Sequence, residues 1–144
     1  MNGKQEKVRL TITGLQRAEG DETCVEMTVW AECMRRDGDC FLFYEEQVEG
    51  FEETVKCLIK WQNGRLERIR RGEPKLHMIF EEGCLHETDY PTPYGLLRLG
   101  IKTRRVEYCE VAEGFSFHVD YRLERNGDVL SECMLKIMVC SGIL

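Results

Sequence analysis

The sequence predicts an all-β protein that folds as a single antiparallel, up-and-down β-barrel of roughly eight to ten strands. Three observations support this prediction: apolar and polar residues alternate with a period of two, turn signals separate the alternating runs, and the sequence shows no sustained helical period. The chain has 144 residues, which corresponds to one domain over 1–144. An open sheet of this size would expose long edges. Closure into a barrel is therefore favoured over a sandwich, which prefers Greek-key crossovers.

Alternation of apolar and polar residues marks the strands along the chain. In residues 23–33 the odd positions are mostly apolar, and in residues 115–123 the alternation is almost unbroken. This pattern is typical of antiparallel strands with one face on a core and the other in water. Further alternating runs cover residues 55–61, 76–81 and 129–139, and shorter strands are assigned to 40–46, 66–70 and 101–108.

Short turn signals separate these strands. Asn-Gly and Asp-Gly pairs between alternating runs favour tight hairpins with positive φ, so consecutive strands should pair as neighbours. The stretch 87–95 is expected to be irregular, because Pro91 and Pro93 would interrupt strand pairing. The hairpin pairs are Asp37-Gly38, Asn63-Gly64 and Asn126-Gly127, and further reversals are expected at 17–21 and 81–83.

Charge and hydropathy limit the partners and the compartment. The 26 acidic residues exceed the 20 basic ones, which gives a net charge of −6 and argues against nucleic-acid binding through overall charge. The first seven residues are polar and do not predict a signal peptide. No run approaches the ~20 apolar residues of a transmembrane helix. We therefore expect a cytoplasmic protein without membrane association.

The eight cysteines predict neither disulfides nor a metal centre. No CxxC pair occurs, which removes the usual zinc and thioredoxin-like signatures. In a reducing compartment the cysteines are best interpreted as small buried apolar residues together with a few exposed thiols. No metal site and no cofactor are expected. The positions are Cys24, Cys33, Cys40, Cys57, Cys84, Cys109, Cys133 and Cys140.

Several short motifs occur in a characteristic order over nearly the whole chain. They are Leu42-Phe43-Tyr44-Glu45-Glu46, Arg70-Arg71-Gly72, Phe80 with Gly83, the run 90–103 and Asp120. Their order and spacing resemble the YwiB-like family, small bacterial domains of unknown function with a lipocalin-like (calycin) β-barrel. The cysteine content and the paired prolines around Thr92 depart from the family pattern. The resemblance implies the barrel fold, and it implies no reaction because the family has none assigned.

Polar residues on the predicted inward faces form a candidate ligand site. Tyr44 and Glu46 share one face of their strand, and a buried guanidinium such as that of Arg70 requires a partner that a carboxylate supplies well. We therefore predict a Glu46–Arg70 pair at the floor or mouth of a ligand cavity. The alternative is that this pair only closes the barrel end, and Ile69 competes with Arg70 for the inward face. The candidate ligand-binding residues are Tyr44, Glu46, Arg70, Phe80, Tyr90, Tyr94 and Thr103, with the aromatic ones as cavity walls.

Two arginine-rich segments support a different hypothesis. Residues 65–71 and 98–105 each contain four basic side chains, and on adjacent strands they would form a basic outer face. Such a face could dock an RNA or an acidic protein. The same charges could equally pair across strands with Glu67, Glu107 and Glu110 on a solvated surface.

No catalytic constellation is found, so an enzyme is the least favoured class. Neighbouring carboxylates such as Glu45 and Glu46 point to opposite faces of a strand. Cys84 and His86 could be considered as a nucleophile pair, but such dyads are rarely built from adjacent residues. The leading expectation is non-enzymatic binding of a small, partly apolar ligand inside the barrel. The sequence leaves the oligomeric state open, with a homodimer among the alternatives.

Overall fold

Ten β-strands make up the described part of the chain, residues 4–141, in a computed structural model. No helix occurs within these residues, so none of them forms a helix that could cross a membrane. The all-β prediction is confirmed. The strands are β1 (Lys4–Ala18), β2 (Asp21–Arg36), β3 (Asp39–Gln47), β4 (Thr54–Gln62), β5 (Arg65–Arg70), β6 (Leu76–Glu81), β7 (Leu85–Thr92), β8 (Gly95–Val111), β9 (Gly114–Arg125) and β10 (Asp128–Ser141).

The strands form one antiparallel sheet that curls into a nearly closed barrel. Their order is β6-β5-β4-β3-β2-β1-β10-β9-β8-β7, so the first and last strands of the chain pair in the middle of the sheet. The two sheet edges, β6 and β7, approach each other along what we call the seam. In the described chain no backbone ladder spans the seam, but Thr88 Oγ1 donates a 2.7 Å hydrogen bond to the His77 carbonyl across it. The predicted up-and-down barrel is confirmed.

The hairpin turns have the predicted backbone geometry. Asp37, Asn63 and Asn126 have φ of 51°, 52° and 52°, and each is followed by a glycine with positive φ. Two successive residues with positive φ give the backbone twist of a two-residue hairpin turn. Asparagine, aspartate and glycine tolerate positive φ, which explains why Asn-Gly and Asp-Gly occur at these turns. These three turns join β2 to β3, β4 to β5 and β9 to β10, as the sequence predicts.

The prediction of an irregular stretch over 87–95 is wrong. β7 runs through Pro91, which lies opposite Leu96 in the β7–β8 ladder, and only the turn between Thr92 and Gly95 interrupts it. The reason is that β7 is an edge strand. One side of it bonds to no other strand of the described sheet, so a residue without an N–H is tolerated there.

The inward faces of the strands fill most of the barrel with apolar side chains. The alternation seen in the sequence is reproduced in the burial pattern, for example in β3, where Cys40, Leu42, Tyr44 and Glu46 are buried. All eight cysteines are free thiols, and four of them belong to the buried set. The largest fully buried apolar side chains are Phe80, Phe117, Leu10, Leu42, Ile59, Leu66, Ile101 and Ile137.

One part of the barrel wall is incomplete beside β3. β2 pairs with β3 only from Glu32 to Arg36, and Glu32 lies opposite Phe43, the last β3 residue in this ladder. The following β3 residues, Tyr44 to Gln47, therefore pair with β4 alone among the described strands. This is the part of β3 that carries the charged interior residue Glu46.

Candidate functional site

A charged cluster lies inside the barrel where the apolar core ends. It consists of Glu46 on β3 and of Arg68 and Arg70 on β5, and we call it the Arg–Glu cluster. The β4–β5 ladder places Cys57 opposite Arg70 and Ile59 opposite Arg68, and both β4 residues are buried. Because facing residues of an antiparallel pair point to the same side, both arginines are inward.

Each arginine of the cluster contacts a different oxygen of the same carboxylate. Arg70 Nη2 donates to Glu46 Oε1 at 3.0 Å, and Arg68 Nη2 donates to Glu46 Oε2 at 3.3 Å. The Glu46–Arg70 pair predicted from the sequence is therefore present. Its side chains are 8% exposed for Glu46 and 18% for Arg70. The Cys57 thiol lies 3.8 Å from Glu46 Oε2.

The cluster carries one net positive charge in a largely dehydrated environment. Two guanidinium groups share one carboxylate, and the Arg68 side chain is 21% exposed. Burial alone would lower the pKa of Arg68, but attraction to the neighbouring Glu46 carboxylate helps to outweigh burial and raise it, so Arg68 stays charged. Burial raises the pKa of Tyr44 to about 12 and that of Cys57 to about 11, so both remain neutral near pH 7. The uncompensated charge is therefore cationic.

Several buried polar atoms at and near the cluster lack a hydrogen-bond partner. They include the Nε of Arg70 and the hydroxyls of Tyr44 and Thr103. A buried polar group without a partner costs about 1–3 kcal/mol, and such groups are uncommon in native proteins. The unused donors of Arg70 and Tyr44 are therefore candidates to contact a bound molecule.

Aromatic side chains adjoin the cluster. Phe80 is fully buried on β6, and its ring lies 4.9 Å from the ring of Tyr121 on β9. Tyr90 on β7 is half-buried and packs against the core. Burial raises the pKa of Tyr121, with a contribution from Tyr90 and an opposing one from Arg68, so Tyr121 links the aromatic group to the cluster.

The remaining two candidate residues, Thr103 and Tyr94, lie in different environments. Thr103 is fully buried on β8, opposite Tyr121 in the β8–β9 ladder. Tyr94 is 98% exposed in the turn between β7 and β8, so its assignment as a cavity wall is wrong. The reason is the continuation of β7 through Pro91, which moves the chain reversal to Pro93 and Tyr94 and turns the ring into solvent.

Two residues of the site were missed by the sequence reasoning. Arg68 shares the face of Leu66 and Arg70 by simple alternation, but only Arg70 was included among the candidate residues. Tyr121 lies on the apolar phase of β9 between Val119 and Leu123, and that phase marks it as inward. In both cases the period-two pattern contained the signal.

A surface cavity along the seam gives access to the cluster. Its volume is about 470 Å³, and Arg70 contributes to its wall. Apolar residues form much of the remaining wall, while Glu73, Asp89 and Lys75 supply charge. Its apolar lining consists of Ile69, Pro74, Leu76, Pro91 and Leu96.

The two arginine-rich segments do not form one basic face. The first lies mainly on β5 and the second on β8, and these strands are not neighbours in the sheet. Arg68 and Arg70 point inward, and several exposed arginines pair with local carboxylates, such as Arg98 with Asp89 at 3.1 Å and Arg105 with Glu107 at 3.2 Å. The structural premise of an arginine-rich docking face is therefore wrong.

A second groove, of about 620 Å³, lies on the outer surface of β1, β8, β9 and β10. Its lining combines outward residues, including Leu15, Lys102, Asp120, Arg122 and Met134, with the inward residues Thr103, Tyr121 and Cys133. Its charges are of both signs, and Arg122 is already paired with Glu124 at 2.6 Å. Glu46, Arg68 and Arg70 do not line this groove, but Tyr121 and Thr103, which adjoin the Arg–Glu cluster, do.

The fold and the site define a small antiparallel β-barrel with a buried, incompletely neutralised charge cluster. The chain belongs to the family described as Domain of unknown function (DUF1934), whose model matches residues 10–137. It is similar to a solved structure described as the ywiB protein from Bacillus subtilis, with 18% identity, a TM-score of 0.82, and coverage of 98% of this chain and 96% of that one. No curated protein matches. The YwiB-like resemblance is confirmed.

Proposed function

We propose that this protein binds, without catalysing a reaction, a small and partly apolar molecule that carries an anionic group such as a carboxylate or a phosphate. The anion would be held by the Arg–Glu cluster. The observation that carries the proposal is that two half-buried guanidinium groups share a single buried carboxylate, with the Nε of Arg70 unpartnered. A planar guanidinium with free donors recognises carboxylate and phosphate bidentately.

The surroundings of the cluster favour a ligand of mixed character. The cavity at the seam reaches Arg70 and offers an apolar wall beside it. The core further inside is occupied by fully buried side chains such as Phe80 and Leu66. A ligand would therefore place its charged end against the arginines and its apolar part along the seam, not deep in the barrel. This refines the expectation of a ligand inside the barrel.

The test compares two probes that differ only in the charged end, octanoate and 1-octanol, by isothermal titration calorimetry. Hydrogen bonds to charged groups contribute about 1.5–3 kcal/mol, which corresponds to roughly 10- to 100-fold in affinity. We expect octanoate to bind more tightly than 1-octanol by that factor. Phenyl phosphate, measured in parallel, distinguishes phosphate from carboxylate as the preferred group.

Matched variants locate the binding site. Arg70→Gln should remove the preference for octanoate, and Arg70→Lys should keep only part of it, because an ammonium lacks the planar fork. Arg71→Gln is the control, since Arg71 is adjacent in sequence and solvent-exposed, and it should bind like the unaltered protein. Equal binding of octanoate and 1-octanol, or full octanoate binding by a folded Arg70→Gln protein, would overturn the proposal.

A further inference from the structure

The turn between β6 and β7 brings together three side chains of metal-ligating type. Glu81 ends β6, Cys84 lies in the turn, and His86 is the second residue of β7. One ligand atom from each lies within 4.8 Å of the other two, and all three residues are half-buried. His86 Nε2 is 2.9 Å from Glu81 Oε1. The motif Glu-x-x-Cys-x-His is not one of the common zinc spacings, so the sequence alone did not reveal it.

The backbone of this turn is held firmly by the neighbouring strand. The Cys84 N–H donates to the Glu81 carbonyl at 2.9 Å, which closes the turn. The Gly83 N–H donates to the Thr103 carbonyl at 2.9 Å, and the Thr103 N–H donates to the Cys84 carbonyl at 3.2 Å. Gly83 has a φ of +80°, a conformation that side chains disfavour. The three side chains are thus presented from a pinned backbone.

We propose that Glu81, Cys84 and His86 bind one divalent transition-metal ion, with Zn²⁺ the ion that best fits the ligand set. Thiolate, imidazole and carboxylate are all common zinc ligands, and three protein ligands leave a fourth position for water or another ligand. Bond lengths of about 2.0–2.3 Å place tetrahedral ligand atoms roughly 3.3–3.7 Å apart, so binding requires shifts of about an ångström or less. This site is distinct from the Arg–Glu cluster and does not depend on the proposed function.

The local charges are compatible with a cation. One thiolate and one carboxylate balance the two charges of the ion. Two cations oppose binding: Lys102, whose Nζ is 3.2 Å from the Gly83 carbonyl, and Arg65, opposite Glu81 in the β5–β6 ladder. They should weaken the site without abolishing it.

The experiment titrates the metal-free full chain with Co²⁺, and then measures Zn²⁺ binding by calorimetry. We expect one ion per chain and a thiolate-to-cobalt charge-transfer absorption, since only a coordinated cysteine gives that band. Cys84→Ala should remove the band, and His86→Ala should weaken Zn²⁺ binding by more than the roughly 10- to 100-fold typical of losing an outer-shell partner. Lys102→Gln should tighten binding, because it removes an opposing charge.

Two control variants test whether a thiol or a histidine outside the three-residue group contributes to metal binding. Cys109→Ala removes an exposed thiol elsewhere, and His77→Ala breaks a histidine–carboxylate pair, 2.7 Å from Glu67, that is not part of the three-residue group. Both should bind like the unaltered protein. Thermal unfolding of each metal-free variant checks folding, and Glu81→Gln reports on the same site if Cys84→Ala is unstable. An unaltered protein without the charge-transfer band, or unchanged binding by the Cys84 and His86 variants, would refute the proposal.

Discussion

Replacing Glu46 by glutamine should destabilise the protein strongly, because two half-buried cations would lose their shared counter-ion. Glutamine keeps the shape of the side chain and one acceptor oxygen, so the change removes charge without creating a cavity. Arg68 and Arg70 are only 21% and 18% exposed, and water can therefore replace the carboxylate only in part. The variant isolates the electrostatic role of Glu46.

The expected loss of stability in Glu46→Gln is estimated from the two Arg–Glu contacts of 3.0 and 3.3 Å. At an effective dielectric constant of about 20, each pair of charges is worth on the order of 4 kcal/mol before desolvation. Repulsion between the two arginines and the desolvation of all three groups offset most of this gain. Breaking a buried pair by removing one partner typically costs about 3–5 kcal/mol. Because both arginines retain some hydration, we expect about 3 kcal/mol for Glu46→Gln.

Urea unfolding monitored by the fluorescence of Trp30 and Trp61 measures this difference. The free energy of unfolding should fall by about 3 kcal/mol with an unchanged m-value, and Tm should fall by about 10 °C for a chain of this size. Glu45→Gln is the matched control, because Glu45 neighbours Glu46 but is exposed on the opposite face of β3. Its free energy of unfolding should change by about 0.5 kcal/mol or less.

A complementary variant replaces the whole cluster: Glu46→Leu with Arg68→Met and Arg70→Met. Buried ion pairs can often be exchanged for apolar residues of similar volume at no cost, so this protein should regain most of the stability lost by Glu46→Gln. The reasoning would be refuted if Glu46→Gln changed the free energy of unfolding by less than about 0.5 kcal/mol, the range of an ordinary surface substitution.

Three further predictions concern buried groups. The pKa of Tyr44 is raised from 10.0 to about 12 by burial, so the folded state retains a proton that the unfolded state has lost between these values. Stability should therefore fall as pH rises from about 10 to 12, by up to about 2–3 kcal/mol from this residue. Tyr44→Phe removes a buried hydroxyl without a partner, so it should not destabilise the protein at pH 7, and it should reduce that slope; an unchanged slope in urea unfolding would contradict this. Thr103→Val should raise the free energy of unfolding by about 1 kcal/mol, because it replaces a buried hydroxyl that has no partner; a loss of stability would show that the hydroxyl is satisfied. Gly114→Ala should cost about 1–3 kcal/mol or more, since an added Cβ would meet the Val139 carbonyl oxygen in the paired strand. Gly100→Ala should cost less stability, because the added Cβ would lie 2.9 Å from the flexible side chain of Leu85. A lower Tm for Gly100→Ala than for Gly114→Ala would refute the comparison.

Alternation in the sequence was sufficient to predict the interior charge pair. In β3 and β5 a period of two sets which side chains face inward, and Glu46 and Arg70 lie on the same phases as the apolar residues Leu42 and Leu66. With both residues inward, pairing is favoured because a buried charge without a partner is costly. Arg68 obeys the same rule: its phase also places it inward, although it was not among the candidate residues.

The position of the seam could not be predicted from the same signals. The reversal at Glu82-Gly83 resembles the other hairpin turns, yet β6 and β7 do not form a ladder. Gly83 and Cys84 bond instead to Thr103, so β8 competes successfully with β6 for the backbone of the turn. That competition depends on long-range packing, and a local pattern does not contain it. For the same reason, the convergence of Glu81, Cys84 and His86 is visible only in the structure.

The Arg–Glu cluster has two explanations. They differ in the properties that should be lost when Glu46→Leu, Arg68→Met and Arg70→Met are combined in one triple variant. If the cluster only closes the barrel end, apolar replacement removes desolvated charge, and the protein loses neither stability nor any binding of octanoate. If it is a binding site, stability is again retained, but the preference for octanoate over 1-octanol disappears together with the guanidinium groups. Stability therefore cannot separate the two explanations, and the anion preference of the folded triple variant can. The unpartnered Nε of Arg70 favours the second, since a purely structural pair gains nothing from an unused buried donor.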